Sequence, residues 1–171
     1  MSGDEIQSEF LALVDANRQK VLRICRVYAW TPHDQEDLYQ EVLVQIWRAL
    51  PTLQDKSLAN TWLYRVTLNT AMSFARKKSA EHRASQLGSD ELARQIEERH
   101  RHADGTNPRL ELLYESVGQL NDVEKAAVTM FLDDLSYEEI GGVLGIAPGH
   151  AGVLLHRAKK KLAVLMKEVS E

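Results

Sequence analysis

The sequence contains a single cysteine, Cys25, and no apolar run long enough to cross a membrane. One cysteine cannot form an internal disulfide, and because Cys25 lies in the apolar pattern of a predicted helix, we expect it to be a buried small side chain. No stretch approaches the roughly 20 apolar residues that a spanning helix needs. The acidic start MSGDEIQSEF also lacks the apolar segment of a signal peptide. We therefore expect a cytoplasmic protein without membrane insertion.

The patterns that usually mark catalytic or metal sites are also missing. GGVLG, at 141–145, lacks the lysine and the serine or threonine of a phosphate-binding loop. His100 and His102 are two positions apart, which places them on different faces of a helix, and no cysteine or carboxylate spacing completes a metal set. The carboxylates of DQEDLYQE, at 34–41, are most simply a solvated helix face. We expect no enzyme activity, no metal and no cofactor.

Charge is distributed unevenly along the chain, although the net charge is only −4. Positions 140–167 contain no acidic residue, and RVTLNTAMSFARKKSAEHR, at 65–83, has Glu81 as its only acid. Acids gather instead in DQEDLYQE and in DDLSYEE, at 133–139. Two basic helices on an acidic protein indicate local contacts with phosphates, which leaves the acidic faces for another partner.

Helix start signals and apolar spacing predict three helices in the N-terminal half. Ser2 with Glu5 forms a capping-box pattern, and Thr31 before Pro32 marks a second start. A third helix is predicted from about 58 to 78. Its predicted inward residues are Trp62, Leu63, Val66, Thr70 and Phe74.

The composition divides the chain into two helical domains. The three helices predict one domain over 1–80, and the polar, charged stretch at 81–107 predicts a flexible linker. The second domain, 108–171, contains helix starts at Asn121 and Ser136. Its predicted helices cover 108–118, 122–133, 137–144 and 148–168. No segment alternates like a strand, so the predicted fold class is all-α.

Two stretches together resemble the extracytoplasmic-function sigma factors of bacterial RNA polymerase. The first, DQEDLYQEVLVQIWRALPTLQDKSLANTWLYRVTLNTAMSFARKK, is similar to region 2 of that family. The second, LNDVEKAAVTMFLDDLSYEEIGGVLGIAPGHAGVLLHRAKKKL, is similar to region 4, which contains a helix-turn-helix. The resemblance covers nearly the whole chain. It implies an alternative sigma factor with core RNA polymerase, promoter DNA and an anti-sigma factor as partners.

The resemblance assigns roles to residues of the first domain. In the family, the helix that resembles DQEDLYQEVLVQIW docks onto the polymerase, and its charges would steer that docking. The corresponding residues here are Asp34, Glu36, Asp37, Gln40 and Glu41. The next helix would hold the melted minus-ten element with aromatic and cationic groups. Its residues for this role are Trp62, Tyr64, Arg65, Asn69, Arg76, Lys77 and Lys78. Trp62 equally fits the core stripe.

The helix that resembles the minus-35 reader departs from the family pattern. Candidate DNA contacts remain at Ser136, Tyr137, His150, His156, Arg157, Lys159 and Lys160. Where the family typically has a threonine, a valine, a lysine, a serine and an arginine, this chain has HAGVL, at 150–154. Ala151, Leu155, Ala158 and Leu162 keep the inward stripe. The outward face has lost its long donors, and Val153 with Leu154 suggests a protein contact.

Three interpretations stay open at this point. In the first, the chain is a working sigma factor with weak or shape-based minus-35 recognition. In the second, it is a sigma factor whose second domain is covered by a partner. In the third, it is a sigma-like mimic that binds proteins without opening a promoter.

Overall fold

A computed structural model describes residues 2–84, Arg94 and residues 107–170. Within these residues the structure contains seven α-helices and no strand, which confirms the all-α prediction. The N-terminal bundle consists of α1 (Gly3–Tyr28), α2 (Pro32–Ala49) and α3 (Ala59–Ala84). Two 3-10 turns, Leu50–Thr52 and Lys56–Leu58, connect α2 to α3. The C-terminal bundle consists of α4 (Pro108–Gly118), α5 (Asp122–Leu132), α6 (Tyr137–Leu144) and α7 (Pro148–Ser170).

Capping side chains begin the helices where the sequence predicts them. Ser2 and Glu5 form the predicted capping box of α1, and Thr31 accepts a hydrogen bond from the Asp34 amide at the start of α2. In the C-terminal bundle, Asn121 caps α5 and Ser136 caps α6. Each cap satisfies an amide that the first helical turn leaves without a partner. The predicted linker at 81–107, including His100 and His102, falls outside the described residues apart from positions 81–84, Arg94 and Asn107.

A tight turn connects α6 to α7 in the helix-turn-helix. Gly145 ends α6 with φ +73°, a left-handed conformation that favours glycine. At Gly141 a Cβ atom would lie 2.5 Å from the Ile146 carbonyl oxygen, so only glycine lets the turn approach the helix this closely. These two glycines set the angle at which α7 leaves the turn.

The predicted inward face of α3 is one part of a wider buried surface, since Leu63, Trp62, Val66 and Phe74 all belong to the core or pack against it. Leu63 is buried as predicted, whereas Trp62, Val66, Thr70 and Phe74 are half-buried. The other buried side chains of α3 are Tyr64, Thr67, Leu68 and Ala71. The reason is that α3 packs against α1 and α2 and also against α6 of the C-terminal bundle. Periodicity within one bundle cannot reveal this second contact.

The buried side chains of the two bundles form one continuous apolar cluster. The inward stripe of α7 is confirmed, because Ala151, Leu155, Ala158 and Leu162 are all buried. Cys25 is buried as well, and burial raises the pKa of its thiol to about 12. None of the described helices is long and apolar enough to span a membrane.

Candidate nucleic-acid interface

The outward face of α7 is cationic and open to solvent. The predicted minus-35 contacts on this helix are all exposed: His150, His156, Arg157, Lys159 and Lys160. Nζ of Lys159 lies 4.0 Å from the centre of the Phe131 ring, and this contact orients the lysine side chain. Lys161 has a structural role, because its Nζ lies 2.6 Å from Oε1 of Glu124, whose side chain is only 5% exposed. The cations that face solvent are therefore those available for phosphates.

Helix α6 supplies the remaining predicted minus-35 residues. Ser136 is exposed, and its side chain already forms the capping box with Glu139. Tyr137 is exposed, and its ring lies against Gly152 of α7. Val153 is exposed as predicted, but Leu154 is half-buried and packs against the core. The apolar part of this surface therefore consists of Tyr137 and Val153 more than of Leu154.

The second cationic surface lies at the C-terminal half of α3. Asn69, Arg76 and Lys77 are exposed there. Lys78 is half-buried, and its Nζ lies 3.4 Å from Oδ1 of Asp34. Trp62 is half-buried and packs against the core, as its place in the apolar pattern allowed.

Tyr64 and Arg65 lie in contacts between the bundles instead of facing solvent together. Tyr64 is buried, and its hydroxyl donates a 2.7 Å hydrogen bond to Oδ2 of Asp133. Burial, with Asp133 beside the hydroxyl, raises the pKa of Tyr64. Arg65 is exposed and donates to the carbonyl oxygens of Gly142 and Val143 in α6. In this arrangement Tyr64 is not exposed, because the C-terminal bundle covers that side of α3, and its contact with DNA stays a prediction.

Further contacts join the two bundles, and none of them was predicted from the sequence. Nη2 of Arg23 lies 2.7 Å from Oδ1 of Asp133. Arg26 pairs with Glu111, and its guanidinium lies 4.0 Å from the centre of the Tyr114 ring. The Tyr28 hydroxyl also donates a 2.7 Å hydrogen bond to the Asp122 carbonyl oxygen. We call these contacts, with those of Tyr64 and Arg65, the interbundle interface.

Helix α2 presents the predicted polymerase-binding residues along one side. Glu36, Gln40 and Glu41 are exposed, whereas Asp34 and Asp37 are half-buried. Oδ2 of Asp37 lies 3.3 Å from Nε2 of His33 one turn earlier. Asp37 and Glu41 thus lie on the side of α2 that borders the α3 cations, whereas Glu36 lies on the side that borders α1.

A groove runs between α2 and α3 and separates these two surfaces. Asp37, Gln40 and Glu41 form one wall, and Asn69 and Lys77 stand on the other. An acidic ridge and a basic ridge therefore lie side by side. In the described part of the chain, no group of histidine, cysteine and carboxylate side chains is arranged to hold a metal ion.

Comparison with known proteins assigns both halves of the chain. Residues 13–81 match the family model of sigma-70 region 2, and residues 110–162 match that of sigma-70 region 4. The ECF RNA polymerase sigma factor SigW of Bacillus subtilis (strain 168) is 26% identical over 95% of this chain and 91% of its own length. The chain belongs to the extracytoplasmic-function sigma factors. It is an alternative sigma factor and directs transcription initiation.

Other relatives support the assignment of this chain to the sigma factors. The ECF RNA polymerase sigma-E factor of Escherichia coli (strain K12) is 27% identical over 91% of the chain and 85% of its own length. The fold is that of RpoE from Bartonella quintana, solved in a co-crystal with the anti-sigma factor NepR. That likeness has a TM-score of 0.68 at 19% identity and covers 95% of this chain and 97% of RpoE. Nothing in these comparisons supports the sigma-like mimic that the altered helix left open.

Proposed function

We propose that this sigma factor binds core RNA polymerase through α2, holds the melted minus-ten strand with α3 and contacts the minus-35 element with α7. One observation carries the proposal: the exposed cations form two separate surfaces, one in the region 2 segment and one in the region 4 segment. Cations on phosphates position a protein on DNA, and base contacts then select the sequence. The sigma factor would supply surfaces in the cytoplasm and perform no covalent chemistry of its own.

Polymerase docking is assigned to the exposed part of the α2 face. Glu36, Gln40 and Glu41 project into solvent, and Asp37 borders the same groove. Charges at the rim of an interface mainly accelerate association and select the partner. Because Asp34 is already paired with Lys78, we assign it the smallest share of the docking energy.

Charge reversal on α2 tests this part of the proposal. The double variant Asp37→Lys and Glu41→Lys should bind core polymerase at least tenfold more weakly, because two attractive charges become repulsive. Asp15→Lys, an exposed acid on α1, is the matched control and should bind like the unaltered protein. Circular dichroism of all three proteins reports helix content. Unchanged polymerase affinity in the folded double variant would remove α2 from the interface.

The minus-ten part of the proposal requires the two bundles to separate. While Tyr64 is buried and bonded to Asp133 it cannot contact a DNA strand, and the hydrogen bonds of Arg65 to the α6 carbonyls occupy part of its guanidinium. Separation on the polymerase would release both residues next to the exposed Asn69, Arg76 and Lys77. The interbundle interface would then compete directly with DNA for the same side chains.

A protein partner could exploit this competition. RpoE of Bartonella quintana, which shares the fold, was crystallised with an anti-sigma factor. We propose an anti-sigma factor as a partner of this chain as well, one that favours the closed arrangement of the bundles. Co-purification of such a protein with the sigma factor, and its release when the polymerase binds, would test this assignment.

A further inference from the structure

The outward face of α7 has an apolar side chain at its centre. Successive residues of an α-helix are about 100° apart, so the side opposite the buried stripe is centred on Val153 and Lys160. Val153 is 49% exposed. His150 lies one turn before it on this face, and Arg157 lies one turn after it. Val153 therefore lies between His150 and the cation Arg157 along this face.

Tyr137 extends this apolar centre from the neighbouring helix. A Cβ atom on Gly152 would lie 3.3 Å from Cε2 and 3.4 Å from Cδ2 of Tyr137, so the ring rests on the bare backbone of α7. Tyr137 directly follows Ser136, the N-cap residue of α6, which fixes its position at the start of the helix. The ring remains 45% exposed. Gly152 thus leaves room for an aromatic ring beside the outward face of α7.

The surroundings of Val153 favour DNA over a protein as its ligand. A docking surface for an apolar protein segment needs a large contiguous apolar patch. Here the exposed apolar surface consists of Val153 and the Tyr137 ring, and Arg157 and Lys160 lie beside it on the outward face of α7. Cations in this arrangement fit a polyanion whose phosphates border a groove. In the major groove, the apolar feature that a base pair presents is the C5-methyl group of thymine.

We propose that Val153 determines specificity in the minus-35 element by contacting the C5-methyl group of a thymine, with Tyr137 packed on Gly152 as its support. This inference rests on the proposed function, because it requires α7 to enter the major groove. It explains how a helix without long donors in its first turns reads sequence. His150, Arg157 and Lys160 hold the phosphates, and Val153 selects the base.

The test begins with the holoenzyme assembled from core RNA polymerase and the full chain. Duplexes are selected from a randomised DNA library, and each thymine in the selected minus-35 region is then replaced by deoxyuridine, which lacks only the C5-methyl group. At one position the replacement should weaken holoenzyme binding about fourfold, the factor expected for burying one methyl group. All other positions should change less than twofold.

Variants of two exposed valines on α7 make the assignment specific. In Val153→Ala the deoxyuridine effect should shrink to less than about 1.5-fold, because the contacting methyl groups are gone. Val164→Ala removes the same groups from a 56% exposed position three turns later and should keep the fourfold effect. Both positions are on the surface, so both variants should fold.

Failure of the inference and failure of the proposed function look different in this experiment. No assembly with core polymerase, or no enriched sequence, would contradict the proposed function itself. Enrichment without any deoxyuridine effect, or with an effect equally large in Val153→Ala, would overturn the role of Val153 and leave the sigma factor assignment intact.

Discussion

Asp133 joins the two bundles more directly than any other carboxylate described, and its replacement gives the sharpest prediction. Its side chain is 5% exposed and accepts from both Arg23 and Tyr64, each at 2.7 Å. Asp133→Asn keeps the shape but removes the charge. A hydrogen bond to a charged group contributes about 1.5–3 kcal/mol. We take a smaller value for the bond from Arg23, whose side chain is 40% exposed and can be hydrated.

The substitution should therefore weaken the closed arrangement by about 2 kcal/mol, a change of about 30-fold in the ratio of closed to open molecules. Energy transfer between dyes on the two bundles measures this ratio, with labels on cysteines introduced by Arg48→Cys and Lys167→Cys. Cys25 stays unlabelled because its thiol is buried and its pKa is raised to about 12. Lower transfer in Asp133→Asn is the expected result.

Asp134→Asn is the matched control for this substitution. Asp134 is the next residue, is exposed and has no salt bridge among the described residues. Its φ of 65° is one that asparagine tolerates. Equal energy transfer in Asp133→Asn and the unaltered protein would refute the argument. Equal opening in both variants would show that charge alone, and not the Asp133 contacts, holds the bundles.

Opening should also strengthen binding of single-stranded DNA. The apparent dissociation constant for DNA falls in proportion as the fraction of open molecules rises. The loss of about 2 kcal/mol expected for Asp133→Asn should therefore tighten DNA binding by up to about 30-fold. Fluorescence anisotropy with a labelled oligonucleotide measures it. An opened variant with unchanged DNA affinity would refute the idea that the interface withholds Tyr64 and Arg65.

Two further predictions concern stability. Gly152→Ala should change the free energy of unfolding by less than about 1 kcal/mol, because the gain in helix propensity is offset by the Tyr137 ring 3.3 Å away. In a Tyr137→Ala background, Gly152→Ala should raise the free energy of unfolding by the full gain of about 1 kcal/mol. Denaturant titrations measure this, and equal gains with and without the Tyr137 ring would contradict the contact. Folding raises the pKa of Cys25 from its usual 9.0 to about 12, so its contribution to stability is complete below about pH 9 and is lost as the pH rises toward 12. In that range the free energy of unfolding of the unaltered protein should fall by up to about 1.4 kcal/mol per pH unit relative to that of Cys25→Ala. Parallel plots of unfolding free energy against pH for the two proteins would contradict this prediction.

Most of the secondary structure was predictable because its signals are local. The caps at Ser2, Thr31, Asn121 and Ser136 each lie within three residues of the amide that they bind. The buried stripe of α7 follows from a 3.6-residue period, which involves only one helix. The exposed cations of α7 follow from the same period, so that part of the candidate site was predictable too.

The interbundle interface was not predictable in this way. Arg26 and Glu111 are 85 positions apart, and Tyr64 and Asp133 are 69 apart, so no local pattern connects them. Tyr64 has an apolar ring and a polar hydroxyl, and both a DNA strand and a second bundle can satisfy such a side chain. Sequence reasoning chose DNA, and the structure buries the residue against Asp133.

In vitro transcription measures directly whether this chain directs initiation by core RNA polymerase. Core RNA polymerase alone and core polymerase with this chain are compared on fragments of genomic DNA, and the 5′ ends of the transcripts are mapped. We expect discrete start sites that require the chain and disappear when a housekeeping sigma factor in excess displaces it. A chain that co-elutes with core polymerase but yields no start sites beyond those of core alone would contradict the claim that it directs initiation.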